Sequence, residues 1–273
     1  MAKKKGSPPT RPTRTGSRVA APPVVKPEPA SPGGPNRLAR KEEARRQREA
    51  LQRKMARRRI TRVIGAVVAV LLVASGISVY LVLKPSAAEA ADCTAVQTVA
   101  PWKGGQSFDR SHFGTQGSKF KQMPPLSKYP SPGGMSGAHF PASGPHSPSP
   151  MPAGVYASPP PIDKMIHSLE HASVEIWYNP SIANSPELAK IRDFYRQKAN
   201  GDHVLVAPFN YPSQGTAGKF PSDKQIVFVA WHHLQACGKT SLGAAQSFVG
   251  AYRYQSSNPA AYKGDAPEKG AAI

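Results

Sequence analysis

The stretch that decides the fold is residues 174–207, VEIWYNPSIANSPELAKIRDFYRQKANGDHVLVA. Its first five residues are β-branched and aromatic, which predicts a strand that an Asn-Pro pair ends. The Ser-Pro-Glu triplet at residues 185–187 has the residue types of a helix N-cap and first turn, and Gly201 ends that helix. A second strand follows at residues 203–207. The segment therefore predicts a strand–helix–strand crossover with parallel strands.

The sequence after this crossover adds one more strand and one more helix. Residues 225–231, QIVFVAW, have a continuous apolar centre, and a last helix with one apolar face begins at Ser241. This order predicts an α+β domain with a small mixed β-sheet and two helices, and a thioredoxin-like arrangement is one version of it. The chain has no Cys-x-x-Cys motif, so the sequence does not support thioredoxin-type redox chemistry.

The N-terminal part is strongly basic, with 19 Lys and Arg against 4 Asp and Glu in residues 1–62. Residues 1–36 contain nine prolines and predict a disordered cytoplasmic tail. Residues 37–62 are rich in helix formers and predict a basic juxtamembrane helix that contacts anionic lipid. No aromatic residues are interleaved with these charges, so we expect no binding of nucleic acid. The identity of a protein partner stays open.

Residues 63–83 form an uncharged run of 21 residues, VIGAVVAVLLVASGISVYLVL. As a helix this run would be about 31 Å long, which matches a bilayer core of about 30 Å. The excess of arginine before the run predicts a single-pass protein of the cell membrane, with a cytoplasmic N-terminus and an extracytoplasmic C-terminal domain. The basic region and the apolar run are both longer than a cleaved signal peptide requires.

The rest of the chain divides by composition. Residues 84–122 are predicted as a stalk and domain entry, and residues 123–161, with 12 prolines, as a loop segment pinned onto the domain. Residues 162–260 are the predicted α+β core, and residues 261–273 a disordered tail. The only two cysteines, Cys93 and Cys237, lie on the predicted outer side, which favours a disulfide over free thiols or metal ligands.

Histidines in and near residues 167–171, HSLEH, indicate a site. The pattern fits the H-x-x-E-H motif of zinc peptidases, in which two histidines on one helix face hold zinc and the glutamate activates water. The motif runs directly into a strand, however, and no acidic third ligand is evident after it. An extended backbone would also place two imidazoles on one face. The predicted metal site comprises His146, His167, Glu170 and His171.

A second pattern bears on the identity of the metal. The four methionines after the apolar run all fall within 43 residues, close to these histidines, and thioether with imidazole favours copper over magnesium or calcium. Zinc is the other candidate, and methionine as adaptable packing is the alternative explanation. A further alternative is that the histidines only hydrogen-bond the Pro-rich loop. No catalytic residue is predicted, and the sequence favours a binding role over an enzyme.

Several motifs together carry a resemblance to a known family. SGPH at 143–146, GVY at 154–156, HSLEH at 167–171 and WYNP at 177–180 resemble the bacterial domain-of-unknown-function family numbered 3105. The resemblance covers about residues 92–260 and implies that the four candidate site residues occupy motif positions. Members are often exported or membrane-anchored, and no activity is attached to the family. Members commonly place glycine after the second histidine, where this chain has Ala172.

These observations predict a single-pass membrane protein whose extracytoplasmic domain binds a transition metal. The alternatives are a structural or protein-interaction module of the envelope and a zinc-dependent hydrolase.

Overall fold

A computed structural model describes residues 36–83, 86–102 and 106–273, except for the side chains of residues 36–39, 74–83 and 106–107. The chain divides into two compact units, residues 1–75 and residues 76–273. The predicted tail over residues 1–36 lies outside the described residues except for Asn36, where the first helix begins.

The N-terminal unit contains one long helix, α1, which spans Asn36–Leu83. It continues without a break through the residues predicted as the juxtamembrane helix. All of its described side chains, from residue 40 to residue 73, are exposed. Arg45 and Glu49, one turn apart, form an ion pair of 3.1 Å on its surface, which is worth only a few tenths of a kcal/mol.

The prediction of a transmembrane helix over residues 63–83 is wrong for the part of the chain that the structure describes. Within residues 36–83, 86–102 and 106–273, no helix combines the length and the apolarity needed to cross a bilayer. The side chains of residues 74–83 lie outside the described residues.

The second unit is built from six helices and six strands among the described residues. The helices are α2 (Ala87–Ala90), α3 (Gln106–Asp109), α4 (Ile162–Glu170), α5 (Pro186–Arg196), α6 (Lys198–Gly201) and α7 (Leu242–Tyr252). The strands are β1 (Gln97–Thr98), β2 (Gly154–Val155), β3 (Val174–Tyr178), β4 (Val204–Pro208), β5 (Ile226–Ala230) and β6 (His233–Cys237).

The strands form one mixed sheet in the order β1-β6-β5-β3-β4-β2. Strands β3 and β4 are parallel and joined by α5, as the crossover pattern predicts, and β2 is parallel to β4 on the other side. Strands β5 and β6 are antiparallel neighbours, and β5 is also antiparallel to β3. The sequence-based prediction has fewer strands than the observed sheet. Strands β1 and β2 have only two residues each, and β6 follows β5 almost directly, so neither feature gives a clear sequence signal.

Each face of the sheet carries its own hydrophobic core, because successive strand residues point to opposite sides. On one face, α5 and α7 cover strand residues such as Ile176, Val206 and Phe228. On the other face, α4 and the Pro-rich segment cover Trp177, Leu205 and their neighbours. The Pro-rich segment therefore belongs to the core. Leu126, Tyr129 and Phe140 in this segment are each no more than 1% exposed.

Local capping explains why α5 begins where the sequence predicts. The Ser185 hydroxyl accepts a hydrogen bond from the Leu188 backbone N–H at 3.2 Å, and Pro186 occupies the first turn. The helix then buries Leu188, Ile191 and Tyr195 on the stripe that faces the sheet.

Helix α4 and the C-terminal residues differ from the sequence-based prediction. Residues 162–170 are helical, so the HSLEH motif lies on a helix and not on an extended backbone. Residues 261–273, predicted as a disordered tail, lie against the domain, and we call them the C-terminal strap. Its Ala266 is 4% exposed and belongs to the core beside α4.

The predicted disulfide is present, and it joins Cys93 to Cys237 across 144 residues of sequence. Cys93 follows α2, and Cys237 is the last residue of β6, so the bond ties the N-terminal end of the domain to the sheet. A loop of this length loses much conformational entropy in the unfolded chain when it is closed.

The double substitution Cys93→Ser/Cys237→Ser is expected to lower the free energy of unfolding by about 4–5 kcal/mol, because it releases this loop in the unfolded state. Urea unfolding of the oxidised parent and the double variant measures the difference. Reductant should destabilise the parent and leave the double variant unchanged. Equal stability of parent and variant would show that the bond does not constrain the unfolded chain.

Candidate metal centre

Helix α4 places His167 and His171 on one face, because residues four positions apart lie one turn above each other. His171 is the C-cap residue of the helix, and the next residue, Ala172, has φ 64°. This left-handed conformation turns the chain into β3 within three residues. An alanine adopts it at a cost of about 1–2 kcal/mol, so the tight turn is kept without glycine.

Backbone carbonyls fix the orientation of both imidazoles. The Nδ1 of His167 lies 2.7 Å from the Ser147 carbonyl oxygen, and the Nδ1 of His171 lies 2.8 Å from that of Ala272. A carbonyl only accepts hydrogen bonds, so each Nδ1 carries a hydrogen. In the neutral form of each ring, Nε2 then presents a lone pair. The same outer hydrogen bond orients histidines that bind metals.

The two Nε2 atoms face each other at a distance of 3.0 Å. Two lone pairs at this separation repel, so the pair needs a positive charge between its members, either a shared proton or a metal ion. Burial lowers the pKa of His167, although the hydrogen bond to Ser147 raises it, and the imidazoles of His146, His171 and His112 lower it further. The neutral ring, which can bind a metal, is thus favoured at neutral pH.

The C-terminal strap supplies a third ligand candidate. The Oε2 of Glu268 lies 3.3 Å from the Nε2 of His171. The three ligand atoms of His167, His171 and Glu268 all lie within 4.8 Å of one another. Ligands about 2.0–2.1 Å from a tetrahedral zinc ion are about 3.3 Å apart, so the two measured separations are close to this geometry.

Glu170, the acidic residue of the motif, points to other partners. Its Oε1 accepts a hydrogen bond from Arg110 Nε at 2.6 Å, and its Oε2 lies 2.9 Å from His146 Nε2. Burial alone would raise the pKa of this carboxyl, but the hydrogen bonds from His146 and Arg110 outweigh it and lower the pKa to about 2. Glu170 is therefore a fixed anion that binds the side chains of Arg110 and His146.

His146 is fully buried, and both of its ring nitrogens are occupied. Its Nδ1 lies 2.6 Å from the Gly144 carbonyl oxygen, and its Nε2 faces Glu170. Because both ring nitrogens already have partners, neither is free to bind a metal in this arrangement.

His112 is a fourth imidazole of the cluster. Its ring stacks on that of His167 with centroids 4.8 Å apart, and its Nε2 lies 3.5 Å from the Oε2 of Glu170, too far for a well-formed hydrogen bond. The ligand atoms of His112, His146 and His167 form a second group within 4.8 Å. His146 already contacts Glu170, so the second group has only two free imidazoles. The group of His167, His171 and Glu268 is therefore the better candidate for binding a metal ion.

The structure therefore brings the four predicted site residues together but divides them into two functions. His167 and His171 converge on a common point, whereas His146 and Glu170 pair with each other. Sequence reasoning missed Arg110, His112 and Glu268. Glu268 lies about a hundred residues after the motif in a stretch predicted as disordered, and no local pattern indicates it.

The four methionines near the cluster serve packing. Met135 and Met165 are buried in the core between the sheet and α4, and Met123 and Met151 pack against the same core. This arrangement favours the packing explanation over thioether ligation of copper.

Comparison with known proteins finds one family similarity. Residues 137–270 match the model of a family described as "Protein of unknown function (DUF3105)". This part of the chain, slightly less than half of its length, is similar to that family. The match confirms the resemblance that the sequence indicated. No curated protein and no solved structure matches the chain. The predicted thioredoxin-like arrangement is therefore not supported by any relative of known structure.

The DUF3105 match includes His146, the whole HSLEH motif and Glu268. The candidate ligands on α4 and on the C-terminal strap therefore both lie within the matched residues. Arg110 and His112 precede the matched residues. The family description names no activity, and any function must be argued from the geometry of the site.

The stability of the domain in acid should depend on Glu170. Its pKa of about 2 in the folded state is below the ordinary 4.5, so its carboxylate stabilises the fold above pH 4.5 and this contribution is lost as the pH falls towards 2. Glu170→Gln removes the anion between Arg110 and His146. We expect a loss of about 3–5 kcal/mol at pH 7 and a weaker pH dependence between 4.5 and 2.

Urea unfolding at a series of pH values tests this expectation. Glu187→Gln, at an exposed position in the first turn of α5, is the matched control and should keep the parent's acid profile. An identical profile for Glu170→Gln and the parent would contradict the assigned role of the buried anion.

Proposed function

We propose that this domain binds one transition-metal ion through His167, His171 and Glu268. The observation that carries the proposal is the 3.0 Å approach of two Nε2 atoms whose Nδ1 atoms are both held by backbone carbonyls. Such an approach leaves two lone pairs directed at one point, and a divalent cation there removes their repulsion.

The chemistry of these ligands selects the class of metal. Two imidazoles with one carboxylate suit zinc and copper(II), whereas magnesium and calcium prefer oxygen ligands alone. The same two-histidine, one-glutamate set with a fourth position for water occurs in zinc enzymes. The packed methionines no longer favour copper(I), so zinc is the first metal to test.

A purely structural role for the histidines is the main alternative. The hydrogen bonds from His167 to Ser147 and from His171 to Ala272 do tether the Pro-rich segment and the C-terminal strap to α4. Tethering alone, however, gives no reason for two Nε2 atoms and a carboxylate to converge. We therefore regard the tethers as the outer hydrogen bonds of a metal site.

A zinc-dependent hydrolase is the less favoured function. A zinc peptidase with an H-x-x-E-H motif requires that the motif be helical and that an acidic residue supply the third zinc ligand. Helix α4 and Glu268 meet these two requirements. The motif's glutamate would also have to accept a proton from water. Glu170 is bound by Arg110 and His146, and its pKa of about 2 makes it a poor general base near neutral pH.

The compartment is part of the proposal. The Cys93–Cys237 disulfide supports a domain that works in an oxidising compartment, since such bonds are rare where thiols are kept reduced. An extracytoplasmic domain is consistent with this chemistry.

The proposal predicts about one equivalent of tightly bound zinc per chain. His167→Ala/His171→Ala should abolish this binding because it removes both imidazole ligands. His139→Ala is the matched control, because His139 bonds the Tyr129 carbonyl oxygen and belongs to neither ligand group. Isothermal titration of metal-free protein with zinc, together with elemental analysis, measures the stoichiometry.

Circular dichroism of both variants checks that they fold. Zinc binding by the folded double variant at the affinity of the parent, or a parent that binds no zinc or copper, would contradict the proposal.

A further inference from the structure

A small cavity adjoins the metal centre on the side of the C-terminal strap. Its volume is about 210 Å³, and its lining residues are Asp109, Arg110, Trp231, His232, Asp265 and Pro267. Pro267 directly precedes the ligand candidate Glu268, and Arg110 also bonds Glu268 at 2.8 Å. We propose that this cavity binds a small zwitterion of the α-amino acid type, with its carboxylate at Arg110 and its ammonium group at Asp265.

Arg110 supplies the positive side of the cavity. Its Nε donates to Glu170 and its Nη2 to Glu268, which accounts for two of the five N–H donors of a guanidinium. The side chain is 47% exposed. Arginine is the side chain best suited to bind a carboxylate through paired N–H groups, so the remaining donors fit the carboxylate of the ligand.

Asp265 supplies the negative side. Its Oδ2 accepts from His232 Nδ1 at 2.8 Å, and its side chain is 53% exposed. The other ring nitrogen of His232 lies 3.1 Å from the buried Asp109, so one imidazole serves two carboxylates. Burial lowers the pKa of His232, but the hydrogen bonds to Asp109 and Asp265 outweigh this effect and raise it. One imidazole between two carboxylates leaves an excess of hydrogen-bond acceptors.

That excess belongs to the Asp265 side, because Asp109 is saturated by donors. Asp109 is 1% exposed and accepts hydrogen bonds from the Trp102 backbone N–H, from the Ser143 hydroxyl and from His232. Asp265 is half-exposed at the cavity, and its carboxylate can accept further hydrogen bonds.

The charges of the lining residues favour a ligand that carries both signs. The lining carries both signs, the guanidinium of Arg110 on one side and the carboxylates of Asp109 and Asp265 on the other. A zwitterion offers a partner to each side, whereas a monoanion offers no partner to Asp265 and a monocation offers none to Arg110. Electrostatic complementarity of this kind sets specificity more than affinity.

The size of the cavity limits the ligand to a small molecule. A volume of about 210 Å³ is below the roughly 300–1,000 Å³ of sites for drug-sized ligands. The indole of Trp231 adds an apolar wall. A free amino acid with a small side chain is of the right size, and a folded peptide is not.

L-alanine, propionate and ethylamine test the proposal, because the last two each lack one of the charged groups. Isothermal titration of the full chain, with and without zinc, measures their affinities. We expect L-alanine to bind at least ten-fold more tightly than propionate or ethylamine. Asp265→Asn should remove the preference for L-alanine over propionate, while Asp193→Asn, at an exposed position on α5, should preserve it.

Failure of this proposal and failure of the metal site can be told apart. Absence of L-alanine binding at 10 mM (about 100-fold above a 0.1 mM target affinity) overturns the cavity assignment even if zinc binds. Equal affinity for L-alanine and propionate does the same, without reliance on any variant. Binding of L-alanine to protein that takes no zinc would support the cavity and contradict only the metal site.

Discussion

The buried carboxylate of Glu170 is the charge around which this domain is organised. An unpaired anion at this depth would cost several kcal/mol, and Arg110 and His146 offset that cost from positions 60 and 24 residues away in sequence. The backbone carbonyl of Glu170 also accepts a hydrogen bond from the Glu268 N–H at 3.0 Å. One residue of α4 thus holds together the segment after α3, the Pro-rich segment and the C-terminal strap.

This use of Glu170 determines what the neighbouring histidines can do. Because Glu170 is paired, His167 and His171 are left to bind a cation with Glu268, which the same network positions through Arg110. The strap contributes both a ligand and the carbonyl that orients His171. Metal binding and docking of the strap should therefore be coupled, since each stabilises the arrangement that the other requires.

Local and distant determinants explain which features the sequence predicts. The crossover, α5 and the family resemblance are predicted because strand composition, the Ser-Pro cap and contiguous motifs are local signals. Helix α4 was missed because it passes into β3 within three residues, through a left-handed turn at an alanine that no propensity indicates. Glu268, Arg110 and His112 were missed because only tertiary contacts bring them to α4. The disulfide is predicted from composition alone, because the chain has only two cysteines that could pair.

X-ray absorption spectroscopy of the zinc-loaded chain can show whether two oriented imidazoles and a carboxylate from the strap hold the metal. We expect a first shell of nitrogen and oxygen at about 2.0–2.1 Å, with the multiple scattering of two imidazole rings. A first shell without imidazole scattering, or one made only of oxygen at six-coordinate distances, would contradict it.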